Sequence, residues 1–409
     1  MPDEPSEPPR TDSRRAVPPD TVADAVGSPA ATAGVVVAAV ALVGAVPWWP
    51  GDPVVALGSL GSPLAAALAL VSALAFSARR FGLLDRQSAA GIAGAAGATI
   101  AAVSAVRLVA PAAGNSYPIS AGYGLPVAMV AGLGILGVAV ADYRGVGVDR
   151  LVEMGVGVLA GLGLTVAGFV GILLVGLPLR ALLEVGASPA QDLVLQLIVS
   201  PLAEVAFVAV ALGYVFVTDR GWDYVDFERP TAVGIGLAIL ATLGLLVLQF
   251  ATIAVIQVLG LPSSSQGTMQ RAAREAAELG QPEIVLVLAP MMLLVVGPAE
   301  ELLFRNVVQK RLYEAFARKS AVLVAGVVFA AAHLLSYASE SAAAVFVSLA
   351  SIFFISLLLG FLYEYTENLT VAALAHGLYN ATLVVLLYVG LVAQQYVEEG
   401  SAVIAVLGI

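Results

Sequence analysis

Apolar runs of membrane-crossing length follow one another through almost the whole chain, and no other feature limits its fold so strongly. A hydrocarbon layer about 30 Å thick takes about 20 residues of helix to cross. Runs approaching or passing that length lie near 32–49, 54–77, 88–110, 121–141, 151–178, 190–217, 231–260, 282–304, 320–338, 342–363 and 369–393. They predict an all-α fold, a polytopic helical membrane protein of about eleven transmembrane helices. The last residues, Ser401–Ile409, are apolar but too few to cross.

Composition agrees: 60% hydrophobic and 12% charged residues lie well beyond the balance of a soluble domain. The chain has no cysteine, which removes disulfides, thiol nucleophiles and cysteine metal sites and leaves carboxylates, imidazoles, amides and hydroxyls to carry any chemistry. Net charge is -10, and lysine occurs only at 310 and 319. This resembles the acidic, lysine-poor composition of salt-adapted proteins, and it argues against a nucleic-acid partner, which wants a basic face.

Residues 1–30 are rich in Pro, Asp, Glu and Ser and are expected to form a disordered cytoplasmic tail with no signal peptide. The loop DYRGVGVDR at 142–150 divides the rest. Upstream, residues 31–150 form four Gly/Ala-rich spans of unknown role, in which small residues allow close packing without specifying chemistry. Arg107, the lone basic residue well inside a run there, is expected to snorkel to the outer interface. Downstream, residues 151–409 carry the residues discussed below, and no internal repeat of the kind found in transporters relates the two halves. Basic residues cluster in the tail (Arg10, Arg14, Arg15) and in alternate loops (Arg79, Arg80 and Arg86; Arg144 and Arg150; Arg220 and Arg229; Lys310, Arg311, Arg318 and Lys319), with Arg180, Arg271 and Arg274 as exceptions. By the positive-inside rule the N-terminus is cytoplasmic.

Chemistry points to one stretch, Gly297-Pro298-Ala299-Glu300-Glu301-Leu302-Leu303-Phe304-Arg305, where ionised side chains follow directly on an apolar run. Ions inside a membrane helix are costly and therefore functional candidates. Glu301 and Arg305 stand at i and i+4 with the acid first, the favourable order for an intrahelical pair. Glu300 points about 100° away and is left without that partner. The chain has only two histidines, and both lie in the C-terminal apolar region. One closes Phe329-Ala330-Ala331-Ala332-His333 and the other opens His376-Gly377-Leu378-Tyr379-Asn380. At i and i+4, Phe329 can pack on His333, and Asn380 shares a face with His376. In lipid each of these polar groups needs a partner, and the others are the available ones. The helical rise places Glu300 about 15 Å, His333 about 21 Å and His376 about 12 Å from the cytoplasmic ends of their helices, in the inner half or near the midplane.

Glu-Glu-x-x-x-Arg, then Phe-x-x-x-His, then His-x-x-x-Asn, in that order on successive spans, resembles the CAAX protease and bacteriocin-processing enzyme (CPBP) family of intramembrane proteases, which includes the type II CAAX prenyl endopeptidases. The resemblance covers roughly residues 151–409. It implies an intramembrane endopeptidase of the CAAX prenyl protease type, either a metalloprotease or a metal-free glutamate protease. Its substrate would be a membrane-associated peptide or lipidated protein, such as a prenylated CAAX peptide, reached in the lipid bilayer of the cell membrane. Glu300 suits the general base that activates water and later returns the proton, and His333 its positioning. His376 and Asn380 would hold the oxyanion, as they are thought to do in that family. Glu301, paired with Arg305, would aim Glu300, and Phe329 would orient His333. A Zn2+ site could draw on Glu300, His333 and His376, an open three-ligand set; against it, the spacing is not His-Glu-x-x-His and the histidines come from separate helices.

Three further expectations concern local structure. Gly297 and Pro298 should kink the span just before Glu300. The loop SSSQGTMQRAAREAAELGQP, with Gln270, Arg271, Arg274, Glu275 and Glu278, suits a short interfacial helix. Glu204, deep in the sixth span, either pairs with Gln196 or another neighbour for packing or steadies the Glu300 constellation. Two other classes of function fit intramembrane Glu and His: a non-catalytic scaffold or immunity protein, and a proton-coupled carrier.

Overall fold

The computed structural model describes residues 28–45, 61–109, 124–183, 188–262, 267–337 and 341–407. Among these there is no strand, and nine helices are long and apolar enough to cross a membrane. The protein is an all-α, multi-pass membrane protein. The first two of the eleven expected spans fall partly outside the described residues: the first shows as a 17-residue helix, and the second begins on residues 54–60. The expected tail, on residues 1–27, also lies outside them.

Contacts divide the chain into two compact units, Met1–Val103 with Val127–Gly147 and Ser104–Pro126 with Val148–Ile409. The first unit is built on α1 (Pro29–Ala45), α2 (Gly61–Arg80), most of α3 (Arg86–Val109) and most of α4 (Gly124–Tyr143). Its core is largely alanine with Phe76, Ile100 and Ile135. Small residues bring backbones together: a Cβ on Gly97 would lie 2.7 Å from the Gly132 carbonyl, and one on Gly132 equally close to that of Gly97. At one end Arg79 Nε reaches Asp142 Oδ2 at 3.3 Å, and Ser28 Oγ donates to Asp142 Oδ1 at 2.7 Å.

The second unit holds α5 (Val148–Leu183), α6 (Pro189–Ala203), α7 (Val205–Val217), α8 (Ala232–Leu259), α9 (Thr268–Glu278), α10 (Pro282–Tyr313), α11 (Arg318–Ala332), α12 (Ala342–Thr366) and α13 (Leu369–Leu407). Four of its helices start on a side-chain cap written in the sequence. Ser188 and Gln191 form a reciprocal capping box at α6, Thr231 Oγ1 accepts from Gly234 N–H at α8, and Ser341 Oγ accepts from Ala344 N–H at α12. Asn368 Oδ1 accepts from Thr370 and Val371 N–H at 2.9 and 3.3 Å, opening α13. Glycines on α5 admit its neighbours: Gly161 faces Val308 of α10, while Gly168 and Gly171 face Phe207 and Ala206 of α7. The opposite face of α5 is exposed at Leu159, Val166 and Leu174, as a lipid-facing surface requires. The interfacial helix appears as α9, with Ala272, Ala273 and Ala276 buried and Gln270, Arg271 and Arg274 exposed.

Candidate active site

α10 does not run as one regular helix. A 3-10 stretch at Pro282–Val287 passes through a short α-turn into a π-helical stretch at Met292–Val296. One α-turn, Gly297–Glu301, follows; a second π-helical stretch covers Leu302–Gln309, and Lys310–Tyr313 returns to α. The irregularity expected at Gly297-Pro298 therefore takes the form of a change of helix type. Pro298 has no N–H to give to the carbonyl four residues earlier, so the α ladder cannot continue unbroken there. Wide π turns are uncommon and often mark functional sites.

The turn bearing Glu300 and Glu301 lies directly against α13. A Cβ on Gly297 would come within 2.9 Å of Gly377 N, and one on Gly377 within 2.9 Å of Leu293 Cα. Backbone meets backbone, and this close crossing brings Glu301 beside His376. Glu301 is fully buried: Oε2 accepts from Arg305 Nε at 2.9 Å, and Oε1 lies 3.0 Å from His376 Nδ1. The i, i+4 ion pair expected from the sequence is present. Arg305 also donates to Ser356 Oγ of α12 at 3.0 Å, and its guanidinium stands 4.9 Å from the Phe329 ring centroid.

Glu300 is also buried, only 9% exposed, but makes no hydrogen bond among the described residues; its Oε2 lies 3.7 Å from His376 Nε2. His376 thus stands between two carboxylates, with Nδ1 towards Glu301 and Nε2 towards Glu300. A carboxylate on Nδ1 calls for a proton there. His333, half-buried at the end of α11, lies with Nδ1 2.9 Å from the Phe329 carbonyl. A carbonyl only accepts, so Nδ1 carries the hydrogen and Nε2 of the neutral ring keeps its lone pair. Phe329 touches both imidazoles, with ring centroids 4.9 Å from His333 and 6.1 Å from His376, and packs edge-on against Phe304. Asn380 is half-buried one turn beyond His376 and makes no hydrogen bond among the described residues.

The structure therefore brings Glu300, Glu301, Arg305, Phe329 and His376 into one cluster, with His333 attached through Phe329. Neither His333 nor Asn380 makes a hydrogen bond to Glu300 among the described residues. Among the described residues no group of three or more His, Asp or Glu side chains is arranged as a metal's donor set, and no step below is routed through a metal. Glu204, at the junction of α6 and α7, does not pair with Gln196: its side chain makes no hydrogen bond, Oε2 is buried, and its charged neighbour is Glu300. Pro201 lies in the last turn of α6, and Glu204 is the residue at which that helix ends. Ser356 was invisible to sequence reasoning, since a serine in an apolar span carries no signal of what it will meet.

A bundle of membrane helices enclosing a buried acid–imidazole–acid cluster defines an intramembrane protein built for polar chemistry. Residues 282–382 match the family model described as type II CAAX prenyl endopeptidase Rce1-like, and this segment is an Rce1-like domain. The match takes in Glu300, Glu301, Arg305, Phe329, His333, His376 and Asn380, and at the level of the family it indicates an intramembrane CAAX-type endopeptidase. No curated protein and no solved structure matches the chain.

Proposed function

We propose that the protein hydrolyses a peptide bond of a membrane-associated substrate, with Glu300 as the general base. The observation that carries this reading is the contrast between two adjacent buried carboxylates. Both oxygens of Glu301 are engaged, one by Arg305 and one by His376, whereas Glu300 accepts no hydrogen bond and keeps its lone pairs for water. Glu300 takes a proton as water adds to the carbonyl carbon, then delivers it to the leaving amine as the C–N bond breaks, so the proton balance closes on one residue. His333, whose Nε2 lone pair is unengaged in its neutral tautomer, accepts a hydrogen bond from the same water and orients it. His376 and Asn380 hold the oxyanion. Donation from His376 Nε2 requires the imidazolium, whose charge the carboxylates on either side offset.

In this reading residues 151–409 form the protease domain, residues 31–150 are an appended membrane region, and the N-terminus faces the cytoplasm of a cell membrane. The substrate class is a CAAX-type C-terminal peptide, prenylated or otherwise lipid-anchored, which reaches the site from the bilayer. The test is cleavage of quenched CAAX-like peptides by purified protein, comparing wild type, Glu300→Ala and His333→Ala, each with and without chelator. Loss in both variants with activity kept under chelation is the expected result. Cleavage unaffected by Glu300→Ala would defeat the reading, and cleavage abolished by chelator would replace direct water activation with metal chemistry.

A further inference from the structure

The loop between α7 and α8 passes beneath the ends of three helices and is fastened to all of them at Asp226. Its backbone N–H donates to Asn306 Oδ1 of α10 at 2.9 Å, and its carbonyl accepts from the N–H of Leu369, the first residue of α13, at 2.9 Å. Its carboxylate receives Lys310 Nζ of α10 at 2.9 and 3.0 Å and the Tyr363 hydroxyl of α12. The neighbouring Tyr224 carbonyl accepts from Asn306 Nδ2 at 3.1 Å and Lys310 Nζ at 2.7 Å, and Lys310 stands 4.4 Å from the centre of the Tyr224 ring. Every one of these bonds is remote from the acid pair, since Asn306 lies about 9 Å along the helix from Glu300 by the helical rise.

The π-helical stretch Leu302–Gln309 runs from the acid pair into this fastening, with Asn306 inside it and Lys310 just beyond its end. Runs of π-helix beyond one turn are rare because the α form is lower in energy. Relaxing the stretch to α would rotate one side against the other by about 100° per residue shed, or slide it by about 1.5 Å. On the site side, Gly297 is locked against Gly377 and Glu301 against His376. Arg305 and Gln309 hold the middle to α12, through Ser356 Oγ and the Gly360 carbonyl. The loop ties Asn306, within the stretch, and Lys310, just past it, to the beginning of α13, the helix that carries His376.

We propose that Asp226 is a positioning residue: it fixes the register of α10 against α13, holds Leu302–Gln309 in its π form, and so keeps Glu300 and Glu301 turned towards His376. The catalytic consequence rests on the protease reading given above; the register does not. A displacement of about 1 Å at a reacting centre costs roughly 100-fold in rate, and Asp226 is expected to act on that scale while touching no substrate.

The absence of cysteine lets two spin labels be placed without background. Labels at Leu294→Cys on α10 and Leu386→Cys on α13, both exposed positions, report the relation of the two helices in the full chain by electron–electron distance measurement. The proposal expects a narrow distribution in the otherwise unaltered protein, a shifted or broadened one with Asp226→Ala, and a near-normal one with Asp226→Asn, which keeps both backbone bonds and an acceptor for Tyr363 and Lys310. With the CAAX-like peptides, Asp226→Ala should lose about 100-fold in kcat with KM unchanged, and Asp226→Asn should restore most of it. If Asp226→Ala yields no folded protein, Asp226→Asn with Tyr363→Phe loosens the same fastening and is measured in its place. An unchanged distance in the loosened protein overturns the proposal, whatever the activity. A changed distance in a protein that cleaves no peptide in any form upholds the register and sinks the protease reading alone.

Discussion

Substituting alanine at Gly377 puts the backbone crossing to its most direct test. The added Cβ would lie 2.9 Å from both Leu293 Cα and Leu293 O, and ordinary contact begins at 3.4 Å. Both obstructing atoms are backbone and cannot swing aside, so α10 and α13 must separate by about 0.5–1 Å to restore normal contact. Overpacking of this kind costs about 1–3 kcal/mol. The separation opens between the helices that carry Glu301 and His376, whose 3.0 Å hydrogen bond has no slack. Activity should therefore fall by about 100-fold, the loss that accompanies a misplacement of about 1 Å. Gly163→Ala is the control: a Cβ there meets nothing within 4 Å, and alanine gains up to about 1 kcal/mol of helix propensity. Thermal unfolding in detergent and peptide cleavage are measured on both. Gly377→Ala as stable and active as Gly163→Ala would refute the claim that the crossing sets the site.

Three more substitutions probe buried charge. Removing the Asp142 carboxylate with Asp142→Ala takes from Arg79 a partner at 3.3 Å, both side chains being nearly inaccessible. The first unit should be destabilised, read by limited proteolysis between α1 and α4. Glu204→Gln removes one of two neighbouring buried carboxylates and is expected to raise the melting temperature; a fall would mean that Glu204 carries a stabilising role as an ion. Glu301→Gln leaves Arg305 buried without its counter-ion and should cost about 3–5 kcal/mol, whereas Glu301→Gln with Arg305→Met should recover most of that loss without restoring cleavage. Equal stability of the single and double variants would contradict the pairing.

How far the sequence foretold this arrangement depends on the range of each interaction. The Glu301–Arg305 pair and the stacking of Phe329 on His333 are contacts between residues four apart on one helix, and helical geometry alone fixes them. The spans were legible because their lengths answer to one physical scale, the thickness of the bilayer. For Glu204 the sequence left two surroundings open, Gln196 or another packing neighbour and the Glu300 constellation, because the choice depends on how separate helices meet; its charged neighbour is Glu300. Asp226 was equally hidden: an aspartate in a polar loop reads as solvated until Asn306, Lys310, Tyr363 and Leu369 arrive from three other helices. Gly297 and Gly377 were legible as small residues but not as each other's counterpart, since a glycine announces room for an approach and not what approaches.

Two glutamates in sequence offer a comparison in which burial is matched and bonding is not. Glu301→Gln disturbs two engaged oxygens and an ion pair, so its effect on rate is mixed with an effect on stability. Glu300→Gln disturbs no hydrogen bond among the described residues: the side chain keeps its volume, and its Oε2 stands 3.7 Å from His376 Nε2. Because it removes one of two neighbouring buried carboxylates, as Glu204→Gln does, Glu300→Gln should be at least as stable as the original. A carboxamide cannot accept a proton from water, however, and loss of a general base costs about 100- to 10,000-fold. A protein that melts no lower than the original and binds peptide with unchanged KM, yet turns over at less than a hundredth of the original rate, is what a base at Glu300 demands. If Glu300→Gln instead turns over normally, the proton goes elsewhere, and the freedom of that carboxylate from hydrogen bonds has another meaning.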